Sequence, residues 1–273
     1  MNIVYLGTDV FRSSFDYLLE KHNIIALYTY HADEDCLSEY GVVKRARQKG
    51  IPVIFTPITE DEVKRYVTEC DCNLFFSAEY SYYIPTMDDD RFKGLNLHCS
   101  LLPHGRSYYP IECGMYSGSE VFGVTMHKLV KKIDAGEIIA QEQVRREDIE
   151  DSVDAYIACD NAAYEMTKRL LENFDQVWNA AKSQDEVCPM QKRPAQEFMT
   201  ICHEMTVEEA KEVYSKYNQM TQVTIDDVPY FIVSIMFGKV IPRSREYLTA
   251  DDSALYALAD GNARMILKEA KKG

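Results

Sequence analysis

Residues 1–100 alternate short apolar runs with amphipathic stretches, and this alternation limits the possible folds more than any other feature of the chain. Residues 3–6 read as a strand and Gly7-Thr8-Asp9 as a turn, after which Phe11, Phe15, Leu18 and Leu19 recur at helical spacing. A second strand is predicted at 24–30, then a polar stretch at 31–35, then a helix ending near Gly50, a residue suited to a helix C-cap. Residues 52–55 form a third strand. Thr59, Asp61 and Glu62 open a helix to about Thr68, with acids at the positive end of its dipole. Strands at 72–77 and 94–100 complete the series. A β-α-β-α rhythm of this kind predicts an α/β fold with a mostly parallel sheet and helices on its faces.

The later chain changes character. A helix is predicted at 110–117, and strands at 121–130 and 138–144 flank a turn at 134–136. One long helix follows from Val153, with Ala163, Met166, Leu170, Phe174, Val177 and Ala181 on its apolar face. The pattern breaks at 188–194, the expected linker. Thr206-Val207-Glu208-Glu209 reads as a capping box. Strands are predicted at 222–225, 230–237, 254–258 and 264–268, with hairpin turns at Asp226-Asp227 and Asp260-Gly261-Asn262. The expected domains are 1–190, the catalytic part, and 201–273, a small β-barrel or sheet.

Composition excludes several classes. Lys and Arg number 30 against 44 Asp and Glu, a net charge of -14 over 273 residues. Residues 201–273 hold 9 basic and 11 acidic side chains, so they carry -2 and the remainder -12. An acidic chain without a basic tail repels polyanions, so no nucleic-acid partner is expected. No apolar run approaches the roughly 20 residues of a membrane helix. Asn2-Ile3-Val4-Tyr5-Leu6 enters a strand without a basic leader, so the expectation is a soluble, cytoplasmic protein with no membrane partner. Eight cysteines form no CxxC pair and six histidines no metal-ligand spacing, so neither disulfides nor a metal is expected. Gly7 alone does not make a dinucleotide fingerprint, and P-loop, HExxH and GxSxG motifs are absent.

The chemistry concentrates in Gly94-Leu95-Asn96-Leu97-His98-Cys99-Ser100-Leu101-Leu102-Pro103. On a strand, Asn96, His98 and Ser100 point one way and Leu95, Leu97 and Cys99 the other. A polar row conflicts with a sheet covered on both faces unless it lies at the open end, where α/β proteins bind ligands. The alternative is a satisfied structural histidine. Asp134, on a loop with Gly136, can approach the same edge, orient the His98 imidazole and raise its pKa. Asn96 can donate to a developing oxyanion. An amide, an imidazole and a carboxylate suit acyl transfer to an amine. The alternative for Asp134 is a turn residue before glycine.

Asn96 through Pro103, followed by Arg106 and Pro110, resembles the signature of folate-dependent formyltransferases. So do Gly123-Val124-Thr125-Met126-His127 and Asp134-Ala135-Gly136-Glu137-Ile138-Ile139. The resemblance covers about residues 1–180 as a Rossmann-like domain. The tail is similar to a reduced OB-like domain. It implies catalytic Asn96, His98 and Asp134, with 10-formyltetrahydrofolate as formyl donor. A pterin-binding loop follows, with Phe76, Ser77, Glu79, Tyr80 and Ile84. On the acceptor side it implies Thr8, Asp9, Ser100, Arg106 and Tyr108. Arg106 is followed by Ser107 rather than the usual glycine, and Tyr108-Tyr109 is bulkier than the family pattern.

The favoured acceptor is an amino sugar on a nucleoside diphosphate, in surface-glycan or lipopolysaccharide synthesis. The charge, the small C-terminal part and a tyrosine-rich site (Tyr80, Tyr82, Tyr83, Tyr108, Tyr109) support it. The resemblance also leans towards a homodimer. The competing readings are methionyl-tRNA formyltransferase and a folate-binding or sensor protein that has lost catalysis. In the expected reaction an unprotonated amine attacks the formyl carbon. His98 serves as acid and base or, charged, stabilises the oxyanion with Asn96, and Asp134 relays a proton.

Overall fold

The computed structural model describes residues 1–30, 40–240, 246–248 and 253–270, so the polar stretch 31–35 lies outside the described residues. The chain divides into two compact units. The first comprises residues 1–111, 120–149 and 154–191, and the second 112–119, 150–153 and 192–273.

The first unit is an α/β layer structure. Its elements begin with β1 (Asn2–Gly7), α1 (Arg12–Lys21), β2 (Asn23–Tyr28), α2 (Gly41–Gln48), β3 (Val53–Ile54) and α3 (Glu60–Glu69). They continue with β4 (Leu74–Ala78), β5 (Gly94–His98), β6 (Val121–Lys128), β7 (Ile138–Arg145), α5 (Ser152–Leu171) and α6 (Phe174–Asn179), while α4 (Pro110–Ser117) belongs mostly to the second unit. The seven strands lie in the order β3-β2-β1-β4-β5-β6-β7. The first five run parallel, while β6 pairs antiparallel with both β5 and β7.

Residue type explains the layers. β1 and β4 are near-continuous apolar runs, buried on both faces as central parallel strands must be. Tyr5 on β1 meets Phe15 of α1 edge-on at 4.8 Å and stacks on Phe76 of β4 at 5.8 Å. Opposite, Val63, Tyr66 and Val67 of α3 pack with Val4, Leu6 and Phe75. The predicted start of α3 is a full capping box: Thr59 Oγ1 accepts from the Glu62 amide and the Glu62 carboxylate from the Thr59 amide. The order of strands along the sheet reverses between the parallel neighbours β1 and β4, whose C-terminal ends meet closely. A Cβ at Gly7 would stand 2.1 Å from the Ala78 carbonyl oxygen, so only glycine fits.

Two expectations need correction. β5 ends at His98, so Ser100 is not on its polar face. The Ser100 amide turns back to the His98 carbonyl at 2.9 Å and its hydroxyl donates to the His104 carbonyl at 2.8 Å. The long helix is two helices. Asn173 leaves helical geometry (φ -130°, ψ 43°) and its amide closes a tighter bond to Leu170, after which its carbonyl starts α6. Apolar periodicity continued across this break, which is why the pattern hid it.

The second unit has β8 (Thr200–Ile201), α7 (Val207–Tyr217), β9 (Gln222–Ile225), β10 (Val228–Gly238), β11 (Glu246–Leu248), β12 (Ser253–Ala257) and β13 (Asn262–Glu269). They form a six-stranded sheet in the order β11-β12-β13-β10-β9-β8, of which β8 and β11 are additions to the predicted strands. The capping box of α7 forms between Thr206 and Glu209. Asp226 and Asp227 both take positive φ (50° and 63°), the geometry of a two-residue hairpin between β9 and β10. Its core includes Ile201, Ala210, Val223, Ile232, Tyr256 and Met265. Among the described residues no helix is long and apolar enough to cross a membrane.

Candidate active site

Strand register assembles the polar groups in rows. Asn96 of β5 lies opposite His127 of β6, and His98 lies opposite Thr125, which in turn pairs with Gln141 of β7. Side chains of directly opposed residues share a face of the sheet. The Asn96 amide nitrogen is 3.1 Å from His127 Nε2. Thr125 donates to the Ser100 carbonyl at 2.6 Å, and Gln141 donates to the Leu102 carbonyl and to Thr125 at 2.7 and 2.9 Å. These bonds pin the loop after β5. That loop returns the Gly105 carbonyl to within 3.1 Å of His98 Nε2.

The loop between β6 and β7 brings Asp134 to this row with φ +51°. Its carboxylate is 8% exposed and lies between two buried imidazoles. Oδ2 is 3.8 Å from His98 Nδ1, and Oδ1 is 3.5 Å from His127 Nε2. The protons follow from the partners. A carbonyl only accepts, so His98 Nε2 carries hydrogen towards Gly105, and Nδ1 of the neutral ring bears the lone pair facing Asp134. His127 Nδ1 likewise donates to the Lys128 carbonyl at 3.0 Å, leaving Nε2 to accept from Asn96. The Asn96 amide is thereby oriented, with its second N–H still to give.

Electrostatics corrects one expectation. Burial lowers the His98 pKa below its ordinary 6.5, and the nearby Asp134 charge, which pulls it upward, does not overcome that. Burial pushes the Asp134 carboxyl up, but in the acid range where it titrates, hydrogen bonding and positive charge from His127, His98 and Arg106 outweigh burial and hold the group below its ordinary 3.8. At neutral pH the centre is a carboxylate beside a neutral imidazole with an open nitrogen. Two proton acceptors side by side suit removal of a proton from an incoming amine.

Asn96, His127 and Asp134 open onto a cleft of about 110 Å³. Ser77, Tyr80, Tyr82, Tyr83, Ile84 and Tyr108 form its other walls. His98 sits behind this lining. Larger surface hollows, such as one of about 450 Å³ beside Gln143 and Asn161, lack such a convergence of amide, imidazole and carboxylate. Tyr30 shapes the cleft wall: its hydroxyl donates to the Glu79 carbonyl at 2.6 Å and accepts from the Ser81 amide at 3.0 Å.

The structure redistributes several predicted residues. Ser77, Tyr80, Ile84 and Tyr108 line the cleft, and Glu79 takes φ +57° at its turn. Phe76 does not line it, because its ring is buried against Tyr5. Asp9 is engaged elsewhere: its carboxylate accepts from the Gly41 and Val42 amides at 2.6 and 2.9 Å, capping α2. Thr8 is buried with its amide on the Ala78 carbonyl. Arg106 is 4% exposed and donates to the carbonyls of Cys188 and Ile133, so its charge is turned inward rather than offered to a substrate. His127 had been quoted only as part of a motif. The alternation of Val124 and Met126 against Thr125 and His127 on β6 would have placed it in the polar row.

The family model described as formyl transferase matches residues 21–169, more than half of the chain. A methionyl-tRNA formyltransferase of Mesoplasma florum is 29% identical over 152 residues, covering 53% of this chain and 48% of that protein. The chain spans about half the length of the first such curated relatives. Among solved structures, HypX from Aquifex aeolicus has a TM-score of 0.71 at 14% identity, covering all of this chain and 45% of HypX. An N-formyltransferase from Helicobacter canadensis, crystallised with folinic acid and dTDP-3-aminofucose, has a TM-score of 0.59 at 17% identity, with 98% and 99% of the two chains covered. With its sheet, its paired motifs and this match, the chain belongs to the formyl transferase family.

Proposed function

We propose that the protein transfers a formyl group from 10-formyltetrahydrofolate to the amine of an amino sugar linked to a nucleoside diphosphate. The observation that carries the chemistry is the Asp134 carboxylate beside the open Nδ1 of His98, with an oriented Asn96 amide at the same cleft. Flat walls from Tyr80, Tyr82, Tyr108 and Ile84 above polar Ser77 and Asn96 fit a pterin ring, and these residues would hold it.

Bound there, the folate supplies an activated formyl carbon. Asn96 donates its second N–H to the formyl oxygen as negative charge grows on it. Asp134, at the cleft, accepts the proton that the attacking amine loses, with His98 Nδ1 behind it as the second acceptor, and the pair returns one proton to the folate N10 as it leaves. One C–N bond forms, one breaks, and the proton count is unchanged. Neutral His98 acts as a base here, so its role as a charged oxyanion partner is set aside.

Three observations support a sugar-nucleotide acceptor. The net charge is -14, the C-terminal region carries no basic excess, and the Helicobacter canadensis enzyme matches over nearly its whole length. The similarity to methionyl-tRNA formyltransferases favours a second reading, formylation of an aminoacyl-tRNA. The test is mass spectrometry of reactions containing 10-formyltetrahydrofolate and amino-sugar nucleotides based on dTDP, UDP and GDP, alongside charged initiator tRNA. A sugar nucleotide gaining one formyl group supports the proposal. Formylation of the tRNA alone overturns the acceptor, and folate binding without any transfer overturns catalysis.

A further inference from the structure

The Asp134 backbone sits in the left-handed region (φ +51°), which aspartate tolerates better than most residues but at some cost. Its neighbour Gly136 runs so close to β6 that a Cβ would stand 1.8 Å from the Lys128 carbonyl oxygen. A loop held this way needs bonds from outside itself, and one segment supplies most of them. Gln184 Nε2 donates to the carbonyls of both Asp134 and Gly136 at 2.9 Å. Lys182 exchanges two backbone bonds with Ile138, at 2.7 and 2.9 Å. Buried Arg106 ties the far end, donating at 2.5 Å to the Cys188 carbonyl and with its other arm to the Ile133 carbonyl.

We infer that residues 182–188 form a brace that sets the position of the Asp134 carboxylate, with Gln184 as its positioning residue. The inference rests on the formyl-transfer reading for its kinetic consequence, though not for its geometry. The brace lies beyond the residues matched by the family model, so it is read from this chain's own bonds. Gln184 is chosen for its donors: its Oε1 is buried without a hydrogen-bond partner while Nε2 serves two carbonyls. A carboxylate of nearly the same shape would face those carbonyls with no hydrogen to give.

The test is Gln184→Glu, with Gln184→Ala as the variant that removes the donors without adding charge. Wild type and variants are compared by circular dichroism, by kcat and KM for formyl transfer, and by NMR titration of the His98 ring. Displacement of the carboxylate lowers kcat by about 10²-fold with KM little changed, since misplacement by about 1 Å has that effect. It also shifts the titration of the His98 imidazole in a folded protein. Folded variants with unaltered kcat and imidazole titrations overturn the brace. If Gln184→Glu does not fold, the Ala variant decides by the same two readouts. A wild type that transfers no formyl group, with imidazole titrations that still move in the variants, rejects the functional reading and leaves the brace standing.

Discussion

Asn96 and His127 are direct cross-strand partners on β5 and β6, and the imidazole Nε2 receives the amide hydrogen at 3.1 Å. The Lys128 carbonyl at the far side of the ring fixes which nitrogen accepts. The bond therefore selects one of two possible orientations of the Asn96 amide, the one that aims N–H groups at the cleft.

His127→Phe keeps a ring at this position and removes the acceptor. Leaving the amide unsatisfied costs about 1–3 kcal/mol, so turnover is expected to fall roughly 5- to 150-fold. Asn96→Ala is expected to lose about 10²–10³-fold as a missing oxyanion donor. The two act as a unit, so the double variant should be little worse than Asn96→Ala. Fully multiplicative losses in steady-state kinetics would show that the pair is not coupled.

His98→Asn retains a polar side chain but not the basic nitrogen beside Asp134. The expected outcome is a folded protein with kcat reduced about 10²–10⁴-fold. A folded variant with most of its activity removes His98 from proton transfer.

The depressed pKa of His98 also makes stability depend on pH. Below its ordinary 6.5 the unfolded chain binds a proton that the native ring refuses, so this contribution to stability is lost as pH falls. The loss stops once pH passes below the native pKa and both states are protonated. Urea unfolding of wild type from about pH 7 to about pH 5 should therefore fall more steeply than that of His98→Asn. Parallel slopes would contradict burial as the ruling effect. The acid limb of the activity profile should likewise lie below the ordinary histidine value.

Arg106 is predicted to matter for stability rather than for substrate affinity. Arg106→Met removes the donors to the Cys188 and Ile133 carbonyls, and each carbonyl left unsatisfied costs about 1–3 kcal/mol. Denaturant midpoints should drop while KM for the acceptor stays near wild type in the folded enzyme. A selective rise in that KM with unchanged stability would restore a substrate-binding role.

Much of the fold was legible because its signals are local. The apolar runs of β1 and β4, the Thr59 and Thr206 capping boxes and the Asp226-Asp227 turn each act over a few residues. The polar face of β5 was legible by the same alternation, though only as far as His98. What escaped depends on distant parts of the chain. Nothing near Asp9 indicates that its carboxylate meets the amides of Gly41 and Val42. Nothing near Arg106 indicates that its charge faces carbonyls of residues 133 and 188. The break at Asn173 was hidden because its neighbours keep the apolar rhythm that a continuous helix would show.

The antiparallel seam of β5 and β6 has an evolutionary consequence. A ladder of backbone bonds, rather than the length of the intervening chain, decides that position 96 faces position 127 and position 98 faces position 125. Insertions or deletions in the chain between β5 and β6 therefore leave the register of this polar row unchanged. The backbone ladder thus separates the placing of the polar row from any change in the loop beside it.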